Sequence, residues 1–162
     1  MAILVTGGCG YIGSHMTWTL KDQGRNVVVL DNLSTGFTNQ IPTDVPLIVG
    51  DIGDQALVAK VIDDHKVEAI IHFAGSIVVP ESVTDPLGYY HNNTVKSRSL
   101  IESAVKAKLK AFIFSSTAAV YGNPQDTSKP LVEDVALDPI SPYGSSKLMT
   151  EIMLRDASRA YG

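Results

Sequence analysis

Short apolar runs and longer stretches of mixed polarity alternate along the 162 residues. Residues 3–6 (ILVT), 26–31 (NVVVLD), 46–49 (PLIV), 69–73 (AIIHF) and 111–115 (AFIFS) are dominated by apolar side chains. Runs of that length, apolar on both faces, predict buried strands. Between them apolar positions return at helical spacing, which predicts helices over 12–23, 55–65, roughly 86–108 and 141–160. A Ser-Pro pair opens the last of these. Strand and helix take turns without a hairpin signal, so the segments read as βαβ units around a parallel sheet. Right-handed crossovers then make a doubly wound, Rossmann-like α/β layer of five strands the simplest topology, with residues 1–162 as one domain. The polar segment 122–139, with its three prolines, predicts a surface loop before the last helix. The sequence stops at Tyr161-Gly162, where a helix would hand over to another strand, so a truncated or partly covered longer protein is expected.

Composition narrows the class. Apolar residues make up 44% and charged ones 19%, enough for a packed core and too apolar for disorder. Thirteen Lys+Arg against seventeen Asp+Glu leave a net charge of -4, which argues against a broad nucleic-acid surface. The apolar runs are too short to span a membrane as helices, and MAILVTGG lacks the basic start of a signal peptide. The single Cys9 excludes an internal disulfide and fits a reducing cytoplasm.

The candidate chemistry begins at the end of the first strand. Gly7-Gly8-Cys9-Gly10-Tyr11-Ile12-Gly13 follows it directly and opens the first helix. Glycines there permit a tight turn and let a pyrophosphate approach the free N–H groups of a helix start. The spacing G-x-x-G-x-x-G is a variant of the dinucleotide fingerprint, and alone it is equally compatible with plain turn chemistry. The second strand closes on Asp31, where a carboxylate accepts both ribose hydroxyls of an adenosine. Asp31 could also simply cap the turn Asp31-Asn32-Leu33-Ser34. As an acid that repels a 2′-phosphate, with no Lys after it before Lys60, it favours NAD over NADP. Asp51, after the third strand, could accept the adenine amino group or cap the helix that starts near Asp54. His72 at the end of the fourth strand reads as a core residue, and His15, His65 and His91 show no metal-ligand spacing.

Tyr143 and Lys147 stand four apart at the start of the last predicted helix and so share a face. A phenol is a poor base at neutral pH unless a nearby positive charge favours the phenolate. Such a pair is commonly a mere surface contact. Ser115-Ser116-Thr117, ending the fifth strand, adds hydroxyls at the same crevice mouth and points to transfer of a hydride and a proton.

VTGGCGYIGSH, LDNLSTG, GDI, HFAGSIVVPESV, DPLGYYHNNTV, FIFSSTAAVYGNP and SPYGSSKLMTE occur in order. Together they resemble the NAD-dependent epimerase/dehydratase group of extended short-chain dehydrogenases/reductases, through essentially the whole chain. The resemblance implies that Gly7, Gly10, Tyr11, Ile12 and Gly13 line the pyrophosphate turn. Asp31 and Asn32 would hold the ribose, with Ser34-Thr35-Gly36 near it. Asp51 and Ile52 would bracket the adenine, and Phe73, Ala74 and Gly75 would run under the middle of the cofactor. Asn92 and Ser115 would lie close to the nicotinamide. Tyr143 would be the base, Lys147 its electrostatic partner, and Thr117 the hydroxyl that is often a serine in the family. The implied reaction is transient oxidation at C4 of a UDP-hexose by tightly bound NAD, interconverting UDP-glucose and UDP-galactose.

The sequence departs from that pattern at Ile77, where many members carry a lysine. The family's C-terminal portion, which grips the nucleotide of the sugar, is absent, so the fragment alone is expected to be inactive. Ala118 and Ala119 stand where a nucleotide-sugar dehydratase has its Asp-Glu pair, which disfavours dehydration. A related epimerase or reductase, or a catalytically silent NAD-binding module, stays open. A homodimer is expected through the helices 86–108 and 141–160, whose Leu100, Ala104, Leu148, Ile152 and Met153 recur at helical spacing, unless they face their own sheet.

Overall fold

A computed structural model describes residues 1–124 and 128–162; the part of the expected surface loop at 125–127 lies outside the described residues. The chain forms two compact units, one from Met1–Gly75 and Lys96–Ser115, the other from Ser76–Val95 and Ser116–Gly162.

The first unit holds the whole sheet. Strands β1 (Ala2–Thr6), β2 (Val27–Asp31), β3 (Leu47–Val49), β4 (Val67–His72) and β5 (Ala111–Phe114) are all parallel, in the order β3-β2-β1-β4-β5. Leu4 sits opposite Val28 on one side and Ile70 on the other, and β1 and β2 are buried throughout. The outer strands are not the buried strands the sequence predicts. Among the described residues β3 and β5 have a strand neighbour on one side only, and Val49 is 61% and Ile113 57% exposed.

Alternation along the strands sends side chains to two layers, so the sheet is covered on both faces. Leu4, Val28, Leu30 and Ile70 pack with Val58, Val61 and Ile62 of α2 (Gln55–His65) and with Leu100 and Ala104 of α5 (Lys96–Lys106). Ile3, Val5, Val29 and Ile71 pack with Leu20 of α1 (Tyr11–Asp22) and with Ile41 and Val45. Leu100 and Ala104 are thus core residues of their own sheet and do not line a dimer face. No helix among the described residues is long and apolar enough to cross a membrane.

The second unit is helical, with α3 (Val79–Thr84), α4 (Pro86–Tyr89), a π-helical stretch (Tyr90–Val95), a 3-10 turn (Ala118–Tyr121) and α6 (Pro142–Tyr161). The helix expected over roughly 86–108 is one uninterrupted helical run from Pro86 to Lys106 that takes π geometry at Tyr90–Val95, and its last part, α5, belongs to the first unit. Asp85 ends α3 and caps α4 by accepting the Gly88 N–H at 3.0 Å, with Pro86 at the first helical position. α3 is not among the helices the sequence predicts; Pro80 stands in its first turn, where a missing N–H costs no helical bond. α6 begins where the Ser-Pro pair predicts, with Ser141 Oγ accepting the Gly144 N–H at 3.2 Å. Its polarity is inverted: Tyr143, Ser146, Lys147 and Thr150 are buried, whereas Met149 and Ile152 are exposed.

Candidate active site

The glycine turn sits where β1 and β4 lie side by side at the centre of the sheet, the point from which crossovers lead in opposite directions. Gly7 has φ +70°, and a Cβ there would lie 2.6 Å from the Ala74 nitrogen. A Cβ on Gly13 would lie 2.1 Å from the Gly7 carbonyl oxygen, so the first turn of α1 rests directly on the glycine loop. Gly10, the N-cap of α1, supplies no side-chain cap. The first N–H groups of the helix, on Tyr11, Ile12 and Gly13, therefore remain for an anion. The exposed Tyr11 ring stands edge-on to His15, with centroids 4.8 Å apart.

Asp31 is buried and uses both carboxylate oxygens. Oδ2 accepts the Cys9 N–H and Oδ1 the Leu33 N–H, each at 2.8 Å. The turn-capping role is therefore real, and a carboxylate has lone pairs left for two ribose hydroxyls. Asn32 Oδ1 accepts the Ser34 N–H at 3.0 Å and leaves Ser34 and Thr35 exposed. Gly36 then packs on the glycine loop, where a Cβ would come within 2.7 Å of the Cys9 carbonyl carbon and oxygen, and the Phe37 N–H bonds that oxygen at 3.1 Å. Cys9 itself is fully buried, its thiol pushed up to about 11 by burial and by the charge of Asp31, so it stays protonated and inert.

Asp51 does not cap α2; Asp54 does, accepting the Leu57 N–H at 3.0 Å. Asp51 accepts the Gly53 N–H at 2.8 Å and pairs with the Lys96 ammonium at 2.6 Å. The Ile52 side chain points into the core, which leaves only its backbone for a ligand. Phe73 and Ala74 are half-buried and Gly75 is exposed, with the Phe73 N–H held by the Thr6 carbonyl at 2.9 Å. Ser115 is half-buried and its N–H bonds the His72 carbonyl at 3.1 Å. His72 is the core residue expected, its Nδ1 2.6 Å from Thr6 Oγ1 and its Nε2 2.9 Å from Ser97 Oγ.

In the second unit Tyr143 and Lys147 are both buried on the first turns of α6. Desolvation pushes Lys147 down to about 8, because an ammonium 4% exposed gives up most of its hydration. Thr117 caps the 3-10 turn, its Oγ1 accepting the Ala119 N–H at 3.2 Å. Gly144 lets α6 approach that turn, since a Cβ there would lie 2.7 Å from the Ala119 carbonyl oxygen. One residue before Thr117, the Ser116 hydroxyl donates to the Glu151 carboxylate of α6. Asn92 donates to Ser76 Oγ at 2.9 Å.

Sequence reasoning misses Asn93. It is 2% exposed, accepts the Ser76 N–H at 2.8 Å, and donates to the Ser76 carbonyl at 2.9 Å and to Ser146 Oγ at 3.1 Å. Its own carbonyl takes the Thr150 hydroxyl at 3.3 Å. The signal was present in an Asn-Asn pair inside a helical pattern, where amides compete with the backbone.

The pattern of the NAD dependent epimerase/dehydratase family matches residues 3–162. The chain belongs to that family. A UDP-glucose 4-epimerase of Azospirillum brasilense is 55% identical over 160 residues, which are 99% of this chain and 45% of that protein. One from Bacillus subtilis is 44% identical, over 99% of this chain and 49% of its own length. Among solved structures, a UDP-glucose 4-epimerase from Brucella ovis in complex with NAD superposes with a TM-score of 0.95 at 43% identity, over 99% of this chain and 49% of that one. The Thermotoga maritima epimerase with UDP-glucose gives 0.93 at 37% identity, covering 100% of this chain and 52% of that one. The chain thus spans about half the length of these family members.

Proposed function

We propose that this chain is the NAD-binding half of a UDP-glucose 4-epimerase. The observation that carries the reading is the buried Tyr143 and Lys147 on the first turns of α6, in a chain 55% identical to such an enzyme. The residues present fit a dinucleotide: the uncapped start of α1 suits a pyrophosphate, the Gly7 and Gly13 contacts leave no space for side chains, and Asp31 suits a ribose without a 2′-phosphate. NAD, when bound, supplies the acceptor for the hydride of the sugar C4 and returns it.

The chain's own residues handle the proton and the geometry. Tyr143 Oη takes the proton of the sugar 4-hydroxyl and later gives it back. The Lys147 ammonium stabilises the phenolate, and its buried position makes that charge count, because little water screens it. Thr117 Oγ1 holds the same sugar oxygen. Asn92 and Ser115 border the nicotinamide end, and Phe73, Ala74 and Gly75 the middle of the cofactor. A homodimer belongs to the same proposal, with the outward apolar residues Met149 and Ile152 of α6 facing the second copy; sedimentation as a monomer at high concentration removes that part.

The test joins this chain to the remaining half of the Azospirillum brasilense epimerase and follows UDP-galactose conversion in a coupled assay. Tyr143→Phe keeps the ring packing, so it should retain NAD and lose turnover by orders of magnitude. A Phe variant of near-normal rate assigns the base elsewhere, and an NAD-loaded but inert parent returns the chain to a silent binding module.

A further inference from the structure

The Asp51 carboxylate lies just beyond β3, and its partner Lys96 begins α5. The Lys96 Nζ stands 2.6 Å from Asp51 Oδ2, while Oδ1 accepts the Gly53 N–H at 2.8 Å. Gly53 makes room for the lysine stem, since a Cβ there would lie 3.1 Å from Lys96 Cγ. Both charged side chains are partly shielded, 21% exposed for Lys96 and 37% for Asp51. The pair therefore offers one strong acceptor and one strong donor side by side.

We infer that Lys96 sets purine specificity at this site, so that the pair accepts a 6-oxo purine dinucleotide as well as the adenine one. The inference rests on the reading that Asp51 faces the purine of a bound dinucleotide. Adenine presents an amino donor at position 6 beside the N1 acceptor. Hypoxanthine reverses the two, with an oxo acceptor at position 6 beside an N1–H donor. A lone carboxylate matches only the first pattern at position 6 and repels the oxo group. A carboxylate with an adjacent ammonium matches both, because each group can face whichever purine atom complements it. A charge-assisted hydrogen bond of this kind changes affinity by roughly ten- to a hundredfold.

Calorimetric titration of this chain with NAD and with nicotinamide hypoxanthine dinucleotide tests it. For the unaltered chain the two dissociation constants should agree within about tenfold. In Lys96→Met their ratio should rise at least about tenfold against the hypoxanthine form, and Lys96→Arg should restore it. An unaltered chain that discriminates by more than tenfold, or a ratio that stays within about threefold in Lys96→Met, overturns the role of Lys96. Asp51→Ala separates that failure from failure of the underlying reading. Unchanged NAD affinity in that variant removes Asp51 from the purine site, and an unaltered chain that binds neither dinucleotide removes the dinucleotide site itself.

Discussion

Lys147 is expected to destabilise the fold it serves. Its pKa falls from 10.5 to about 8 on burial, and at 1.36 kcal/mol per pH unit that drop corresponds to about 3 kcal/mol of penalty for holding the charged form inside. The sign follows from proton binding. Between pH 8 and 10.5 the unfolded chain keeps a proton on this lysine that the folded chain has released, so stability rises with pH through that window. Below about pH 8 both states are protonated and the penalty is present in full. Lys147→Met keeps an unbranched side chain of similar length without the charge. Urea unfolding of the chain and of the variant, each at pH 7 and pH 10.5, gives the stability difference at both ends. That difference should favour the variant at pH 7 by about 3 kcal/mol more than at pH 10.5, whatever fixed contribution the change of packing makes. A difference that does not move with pH would refute the idea that burial holds this ammonium at a cost.

Gly36→Ala places a methyl within 2.7 Å of the Cys9 carbonyl, so the turn after β2 must lift off the glycine loop; NAD affinity measured by calorimetry should fall at least about tenfold while the thermal midpoint changes little. Asn93→Leu strands the Ser76 N–H and carbonyl without partners, which should cost about 3 kcal/mol in urea unfolding, and a loss below 1 would show that water replaces the amide. Competition titrations should show NAD preferred over NADP, and Asp31→Ser should narrow the gap; equal binding by the unaltered chain would remove Asp31 from the ribose.

The sheet was legible because its strands are apolar on both faces, a pattern only a covered parallel sheet explains. What a local pattern does not carry is which of this chain's strands lack a second neighbour among the described residues. AFIFS and PLIV look as buried as ILVT, yet β5 and β3 have a neighbour on one side only. The places of the glycine turn after β1, of Asp31 at the end of β2 and of Tyr143 and Lys147 on the first turns of α6 were legible because glycines, an apolar strand end and a Ser-Pro helix start mark them locally. The π-helical stretch inside 86–108 was not, because hydrophobic periodicity is blind to Asn93 bonding a loop seventeen residues earlier. The pairing of Asp51 with Lys96 was invisible for the same reason: forty-five residues separate two side chains that only the folded crossover brings together.

Strand β5 carries a consequence for the order in which the molecule assembles. The first unit leaves off at Gly75 and resumes at Lys96, so the β4–β5 edge of its sheet closes only after the intervening helical segment has been made. Those intervening helices bind in turn to α6 through Asn93 and Ser146. During synthesis the sheet around β1, β2 and β4 can form early, while the π-helical stretch waits with its contacts from Asn93 and Thr94 to α6 unmet until residues near 146 emerge. Parallel pairing across so long an interval is slow. The proposed proton-transfer residues, on the first turns of α6, therefore take their places only after those helices have been made.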